Sequence, residues 1–264
     1  MQQAKFSGLF AALSAEHRMN FIANNLANVN TAGYKQDKLA FKDTMIQFAH
    51  DQIREPIATV RSKPLFPEPN NAARVRIAVS NTDFAQGSMQ FTGNPLDFAI
   101  TGENGFFRIQ SPQGNYLTRN GSFVLDATGQ LVTKQGWPVL GDGGPITIPE
   151  GTKKISITPD GRIFADDAEV GTIQFVSLDD VKKLEKVGAN LYRPKEGLEI
   201  IEGNANETGA IINQGFLESS NVNVVEEMVK MIEVNRQFDA YQKVMQTSDS
   251  LDREAYSKVG RTSR

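Results

Sequence analysis

Cysteine is absent from the 264 residues. That removes disulfides, thiolate metal sites and thiol nucleophiles together, and it leaves the redox compartment open. Histidine is almost absent: His17 and His50 are the only two. His17 falls on a helix outside its apolar seam and reads as solvated, as does His50 beside Asp51. No His-Glu-x-x-His pair offers zinc ligands, and no Gly-x-Ser-x-Gly elbow offers a serine nucleophile. No run approaches the ~18 apolar residues of a membrane span. An excess of one charge is also missing, since 31 acidic residues against 28 basic ones leave a net charge of −3. Neither nucleic acid nor anionic lipid is drawn by such a surface, and no basic–aromatic face is clustered. The start, "MQQAKFSGLFAALSAEHRMN", has an apolar patch too short for a cleavable signal peptide, so any export is expected to proceed uncleaved.

The chemistry that remains is thin. "GDGGP" at 141 to 145 resembles a phosphate loop only in its glycines. A strand-like "ITIP" follows instead of a helix start, so it reads as a hairpin turn. Asp166 and Asp167 lack the alternating oxygen ligands of a calcium loop and read as a solvated turn. Asn120 and Asn206 match the glycosylation pattern, which arises by chance in chains of this length. Carboxylate pairs are plentiful without a telling spacing, so a glycosidase has no positive support. The basic end "REAYSKVGRTSR" reads as a frayed, soluble terminus. No catalytic residue, cofactor or metal site is expected.

What the chain does contain is patterned. On a helix over 9–29, Ala12, Ala15, Met19, Ile22, Leu26 and Val29 form one stripe at alternating spacings of three and four, widened by Leu9 and Leu13. Asn24, Asn25 and Asn28 flank it, although Asn is a poor helix former. Gly33 is placed to end the helix in a left-handed cap. "FKDTMIQFAHDQI" (41 to 53) reads as a short helix, and "SKPLFPEPNN" (62 to 71) as a Pro-rich connector. Between about 75 and 215 the pattern becomes short β-branched and aromatic runs separated by "SPQGN", "DATGQ", "GDGGP" and "TPDG". That argues an antiparallel sheet, curled as a sandwich or partial barrel.

The segment "SSNVNVVEEMVKMIEVNRQFDAYQKVMQTSDSLDREAY" then reads as one long helix. Asn223 with Glu226 has the logic of a capping box, and Glu226 and Glu227 suit the positive helix start. Val224, Met231, Phe238 and Met245 recur every seven residues, with Met228, Val234 and Tyr241 alongside and Asn235 beside the seam. The expected class is α+β: N- and C-terminal helices pairing as a coiled coil, with a central antiparallel β-rich domain. Its boundaries are 1–40 for the first helix, 41–74 for the connector, 75–215 for the β-rich domain and 216–264 for the last helix. Two readings of the amide-edged seams stand side by side. One is an ordinary helical hairpin with solvated Asn residues; the other is a lattice in which amides fix register between packed helices.

Longer stretches resemble a known family. "MNFIANNLANVNTAGYKQ" (19 to 36) and "LESSNVNVVEEMVKMIEVNRQFDAYQKVMQT" (217 to 247) resemble the terminal signatures of flagellar basal-body rod and hook proteins. "QGSMQFTGNPLDFAITGENGFFRIQ" (86 to 110) and "YLTRNGSFVLDATGQLVTKQGWPVLGDGGPITIP" (116 to 149) are similar to the middle of that family. The resemblance implies a structural subunit, not an enzyme, in which the terminal helices form an inner coiled-coil layer and the β-rich middle an outer one. Copies would stack helically into a rod that transmits torque to the hook, exported by the flagellar type III route to a periplasmic basal body. Its partners would be copies of itself and other rod subunits, with the surrounding basal-body rings as further neighbours, and neither nucleic acid nor a membrane span. Within the family, the direct run from connector to sheet resembles the proximal rod subunit adjoining the distal rod; the distal subunit is the alternative.

The resemblance places the assembly interface at Met19, Ile22, Asn24, Asn25, Leu26, Asn28 and Val29 near the first helix. On the second it implies Asn221, Asn223, Val224, Met228, Met231, Asn235, Phe238, Tyr241 and Met245. A secreted β-domain enzyme or carbohydrate-binding module is the rival, and it predicts a deep pocket with convergent polar groups.

Overall fold

The computed structural model describes residues 2–47, 71–102, 104–178, 180–195, 200–203 and 210–259. His50, the Pro-rich connector up to residue 70, Asn206 and the last five residues lie outside them. The fold is α+β. Helix α1 (Gln2–Ala27) opens the chain, helix α2 (Val224–Val259) ends it, and short strands lie between. The chain divides into two compact units. One comprises Met1–Ala23, Leu39–Ser80 and Met228–Arg264; the other comprises Asn24–Lys38 and Asn81–Glu227. The last turn of α1 and the first turn of α2 therefore count with the sheet-rich unit.

Three sequence expectations are corrected. Residues 41–47 are not helical but belong to β1 (Asp37–Gln47), which pairs with β2 (Asn71–Thr82). Leu39, Phe41 and Met45 are spaced by two and four residues, and Val75, Ile77 and Val79 by two, a period that suits a ribbon. Helix α1 stops at Ala27, leaving Asn28 and Val29 in the turn that follows. And the basic C-terminal stretch continues α2 as far as Val259.

In the sheet-rich unit, β3 (Met89–Phe91) and β4 (Phe98–Thr101) precede β5 (Gly105–Ser111) and β6 (Gly114–Thr118). Next come β7 (Phe123–Leu125), β8 (Leu131–Thr133), β9 (Leu140–Gly141) and β10 (Gly144–Pro145). Strands β11 (Ile155–Ile157), β12 (Arg162–Ala165) and β13 (Ala168–Thr172) form a meander. Then follow β14 (Phe175–Leu178), β15 (Leu184–Gly188), β16 (Leu191–Pro194), β17 (Ile200–Gly203), β18 (Ile211–Gln214) and β19 (Phe216–Glu218). The largest sheet has the order β15-β16-β6-β5-β14-β17, while β18 pairs with β4 and β19 with β3. All of these pairings are antiparallel.

The turns follow local chemistry. Asp126 Oδ1 accepts from the backbone of Thr128 and Gln130, closing the β7–β8 hairpin. "GDGGP" joins β9 to β10 as a hairpin. Asp166 and Asp167 stand at φ +46° and +74° and form the two-residue turn between β12 and β13, a left-handed pair that suits Asp.

The central sheet is apolar on both faces, which explains why its strands carry adjacent rather than alternating hydrophobics. Phe107, Ile109, Tyr116, Phe175 and Leu191 enter one buried cluster with Phe98, Phe123 and Ile163. Their chain neighbours Phe106, Leu117, Val176 and Tyr192 enter a second, with Phe84, Leu178 and Leu184. In that second cluster, Phe84, Phe106 and Tyr192 meet edge to face with ring centroids 5.2–6.0 Å apart. The Tyr192 hydroxyl is buried with no hydrogen-bond partner among the described residues. A desolvated, unpaired hydroxyl is a penalty that phenylalanine lacks. Tyr192→Phe is therefore expected to leave stability unchanged or raise it by up to ~1 kcal/mol, measured as the urea midpoint; a clear drop would mean that the hydroxyl has a partner.

Candidate assembly site and its polar junction

The terminal helices carry their seams into one place. Ala15, Ile22 and Val234 are buried in a common cluster, against which Met19, Met231, Phe238 and Tyr241 are partly buried. Gly8 continues the contact, since a Cβ there would stand 3.1 Å from Met245 Cγ. The spacing follows from α-helical geometry: 15, 19 and 22 on α1, and 231, 234, 238 and 241 on α2, are each one stripe. Val234, read from sequence as flanking the seam, is its best-buried residue on α2, whereas Val224 and Met245 are half-buried. Asn223 caps α2, its Oδ1 accepting from the N–H groups of Val225 at 3.1 Å and Glu226 at 3.4 Å. Another face of α2 is uncovered: Val225, Met228, Val229 and Ile232 are 48–70% exposed. Asn235 and His17 are also exposed.

The Asn residues after this seam divide by role. Asn28 closes α1 locally: its amide donates to the Asn24 carbonyl at 2.8 Å and to Asn24 Oδ1 at 3.1 Å. Asn25 is only 2% exposed and acts at long range. Its Nδ2 donates to the Asp37 carbonyl and its Oδ1 accepts from the Asp37 N–H, each at 3.0 Å, so the side-chain amide pairs with the backbone as a neighbouring strand would. Asn221 instead joins the preceding residue to another segment. Its Oδ1 accepts from the Gln36 N–H at 2.8 Å while its Nδ2 donates to the carbonyls of Asp83 at 2.8 Å and Ala85 at 3.1 Å. Leu26 is half-buried.

The segment Tyr34–Asp37, passed over in the sequence, is where these contacts meet. The Tyr34 hydroxyl donates to Asn24 Oδ1 at 3.0 Å and Asn25 Oδ1 at 3.1 Å. Burial, then the carboxylates of Asp37 and Glu227, hold that phenol far above its ordinary pKa, so it stays a donor. Gln36 Nε2 reaches Glu227 Oε1 at 2.9 Å, and Asn25 Nδ2 reaches Glu227 Oε2 at 3.3 Å. Asp37 receives Thr82 and Lys186, each at 2.8 Å, and the Lys186 ammonium lies 3.9 Å from the centre of the Tyr34 ring.

Lys35 enters a buried charge triad. Its Nζ donates to Glu218 Oε1 at 2.7 Å and to the Ala85 carbonyl at 2.8 Å. The Gly87 N–H reaches the same Oε1 at 2.9 Å, and Arg119 Nη1 stands 3.5 Å from Oε2. All three charged side chains are at most 1% exposed. Burial lowers the Lys35 pKa, opposed by Glu218 and assisted by Arg119. Gly33 introduces the segment at φ +67°, not as a helix cap but six residues past the helix end. Its N–H donates to the Glu218 carbonyl at 2.7 Å, and a Cβ would lie 2.5 Å from the Arg119 carbonyl carbon.

The sequence reading missed Lys35, Gln36, Arg119, Lys186 and Glu218, and it assigned Glu227 only to the helix dipole. Charged residues within apolar strand ends, such as Glu218 in "GFLESS", were the available signal, but nothing local names their partners. This arrangement offers rigidity rather than reactivity. Among the described residues no cluster of His, Asp or Glu could hold a metal ion, and no helix is long and apolar enough to cross a membrane.

Comparison with known proteins agrees along the chain. Residues 11–35 match the family described as flagella basal body rod protein. Residues 99–165 match the flagellar hook protein FlgE/F/G D1 domain, and 213–257 match the flagellar basal body rod FlgEFG protein C-terminal region. The chain is 34% identical to the flagellar basal-body rod protein FlgG of Bacillus subtilis, over 95% of this chain and 97% of that protein. It is also 34% identical to the flagellar basal-body rod protein FlgF of Caulobacter vibrioides, over 99% of each. With helices, sheet domain and both terminal motifs covered by these matches, the chain belongs to the flagellar basal-body rod protein family, a family of structural proteins and not of enzymes.

Proposed function

We propose that this rod-family chain builds the flagellar rod through its terminal helices, which pair as a coiled coil and pack against those of neighbouring copies to form a torque-transmitting shaft. The observation that carries this reading is the division of α2 into two apolar faces. One is closed over Ala15 and Ile22 through Val234, and the other, Val225, Met228, Val229 and Ile232, is open to solvent. A contiguous exposed apolar stripe on a helix is an interaction surface in waiting. Asn235, exposed three residues beyond Ile232, supplies a polar contact at the end of this stripe. The neighbours are further copies and other rod subunits, and the position is the proximal one, adjoining the distal rod, on the direct run from connector to sheet. The chain reaches its periplasmic site by flagellar type III export.

The test is Val229→Asp with Ile232→Asp, expressed in place of the natural chain. Both positions are solvent-exposed in the single subunit, so folding is expected within ~0.5 kcal/mol of the parent. Cells carrying the pair are expected to lose swimming in soft agar and to yield basal bodies without complete rods. Normal swimming with both aspartates in place would overturn the reading.

A further inference from the structure

We propose that Tyr34–Asp37, together with Asn25, Asn221 and Glu227, is a conformational latch. It is one cooperative unit that holds residues 24–27 of α1 and 224–227 of α2 on the sheet-rich unit, and it opens without unfolding the sheet's two apolar clusters. Whatever the rod's architecture, this is a property of the single chain.

The connectivity argues for cooperativity. Gln36 is bound through its backbone N–H to Asn221 and through its side chain to Glu227. Glu227 in turn receives Asn25, which brackets Asp37 on both its N–H and its carbonyl. The Gln36 carbonyl accepts from the Asp83 N–H at 2.8 Å, tying the same residue to the segment that follows β2. Removing Glu227 therefore strands the amides of Gln36 and Asn25, and removing Asn25 strands Glu227 and the Asp37 backbone; stranded groups favour opening to water over remaining closed. The chemistry argues for separability. The latch is held by polar bonds and by the Lys35–Glu218 ion pair, all of whose groups regain water partners in the open state. None of its side chains belongs to the clusters around Phe107 or Phe106, which are held by apolar burial. Sub-global opening of a polar-bonded segment ahead of an apolar core is the expected order.

Hydrogen exchange with mass readout on the full chain tests this, using Asn25→Ala, Gln36→Ala and the near-isosteric Glu227→Gln. Amides of 24–38 and of 221–228 are expected to exchange at least tenfold faster in every variant that folds, including 221–228 when the change is at Asn25. Amides of β5 and β14 are expected to keep the parent's rates. The proposal is overturned if the acceleration stays within the segment that carries the substitution, for then the contacts are independent. It is equally overturned if β5 and β14 accelerate by the same factor, for then no separate latch exists. Should Asn25→Ala fail to fold, Glu227→Gln, which preserves shape and one acceptor, decides between these outcomes.

Discussion

Glu218→Ala is expected to lower stability by about 3–5 kcal/mol, read as a fall in the urea midpoint followed by circular dichroism. The reason is the charge count in a closed space. Lys35 and Arg119 contribute two cations and Glu218 one anion, each at most 1% exposed. Removing the anion leaves two like charges buried together, and Lys35 already feels Arg119 as a repulsive neighbour. The alanine also withdraws the acceptor for the Gly87 N–H. Lys35→Met reverses the arithmetic, leaving one cation and one anion, with the desolvated ammonium gone. Its expected cost is much smaller, about 1–2 kcal/mol, as for a satisfied pair deprived of one hydrogen bond. The double variant, with Arg119 as the only remaining charge, is expected to be more stable than the sum of the two single losses implies. Strict additivity would mean that the three charges do not act as a unit.

Gly33→Ala is the second large effect expected. A non-glycine residue in the left-handed region costs ~1–2 kcal/mol, and here the added methyl meets backbone. Its Cβ would lie 2.5 Å from the Arg119 carbonyl carbon and 2.6 Å from both the Arg119 oxygen and the Asn120 nitrogen. Backbone cannot swing aside as a side-chain tip can, so the segment must retreat and loosen the 2.7 Å bond from the Gly33 N–H to the Glu218 carbonyl. A total of about 3–5 kcal/mol is expected from strain and overpacking together. Gly136→Ala is the internal control. Gly136 has φ +84° with nothing within 4 Å of the added methyl, so it carries the conformational cost alone. Equal urea midpoints for the two variants would show that the close approach to Arg119 is not what requires glycine at position 33.

Where the governing interaction lies within a few residues, the chain could be read directly. The Asn223 cap, the long α2, the turns at Asp126, Gly144 and Asp166, and the two helical stripes all rest on neighbours one to seven positions away. The strand over 41–47 is of the same local kind: the two-residue period of Leu39, Phe41 and Met45 outweighs a weak helical pattern there. Gly33 is left-handed as its place after the helix predicts, but not because it caps the helix. Its conformation was legible, while the backbone pressed against it belongs to Arg119, far along the chain.

The amides show the boundary most clearly. That Asn24, Asn25 and Asn28 are unusual helix residues follows from composition and period alone. That Asn28 closes the helix, Asn24 sits exposed and Asn25 is sealed against Asp37 and Glu227 does not. Asn25 and Glu227 are 202 residues apart, Gln36 and Asn221 are 185, and Lys35 and Glu218 are 183. By itself the sequence determined the short-range features: a helix at each end with an apolar stripe, an antiparallel β-rich middle, the turn positions, and family membership through its terminal motifs. Only the tertiary structure decided which polar groups lose water and with whom they pair. Burial is set by chain segments that sequence distance does not order, and a buried amide or charge persists only where distant partners satisfy it.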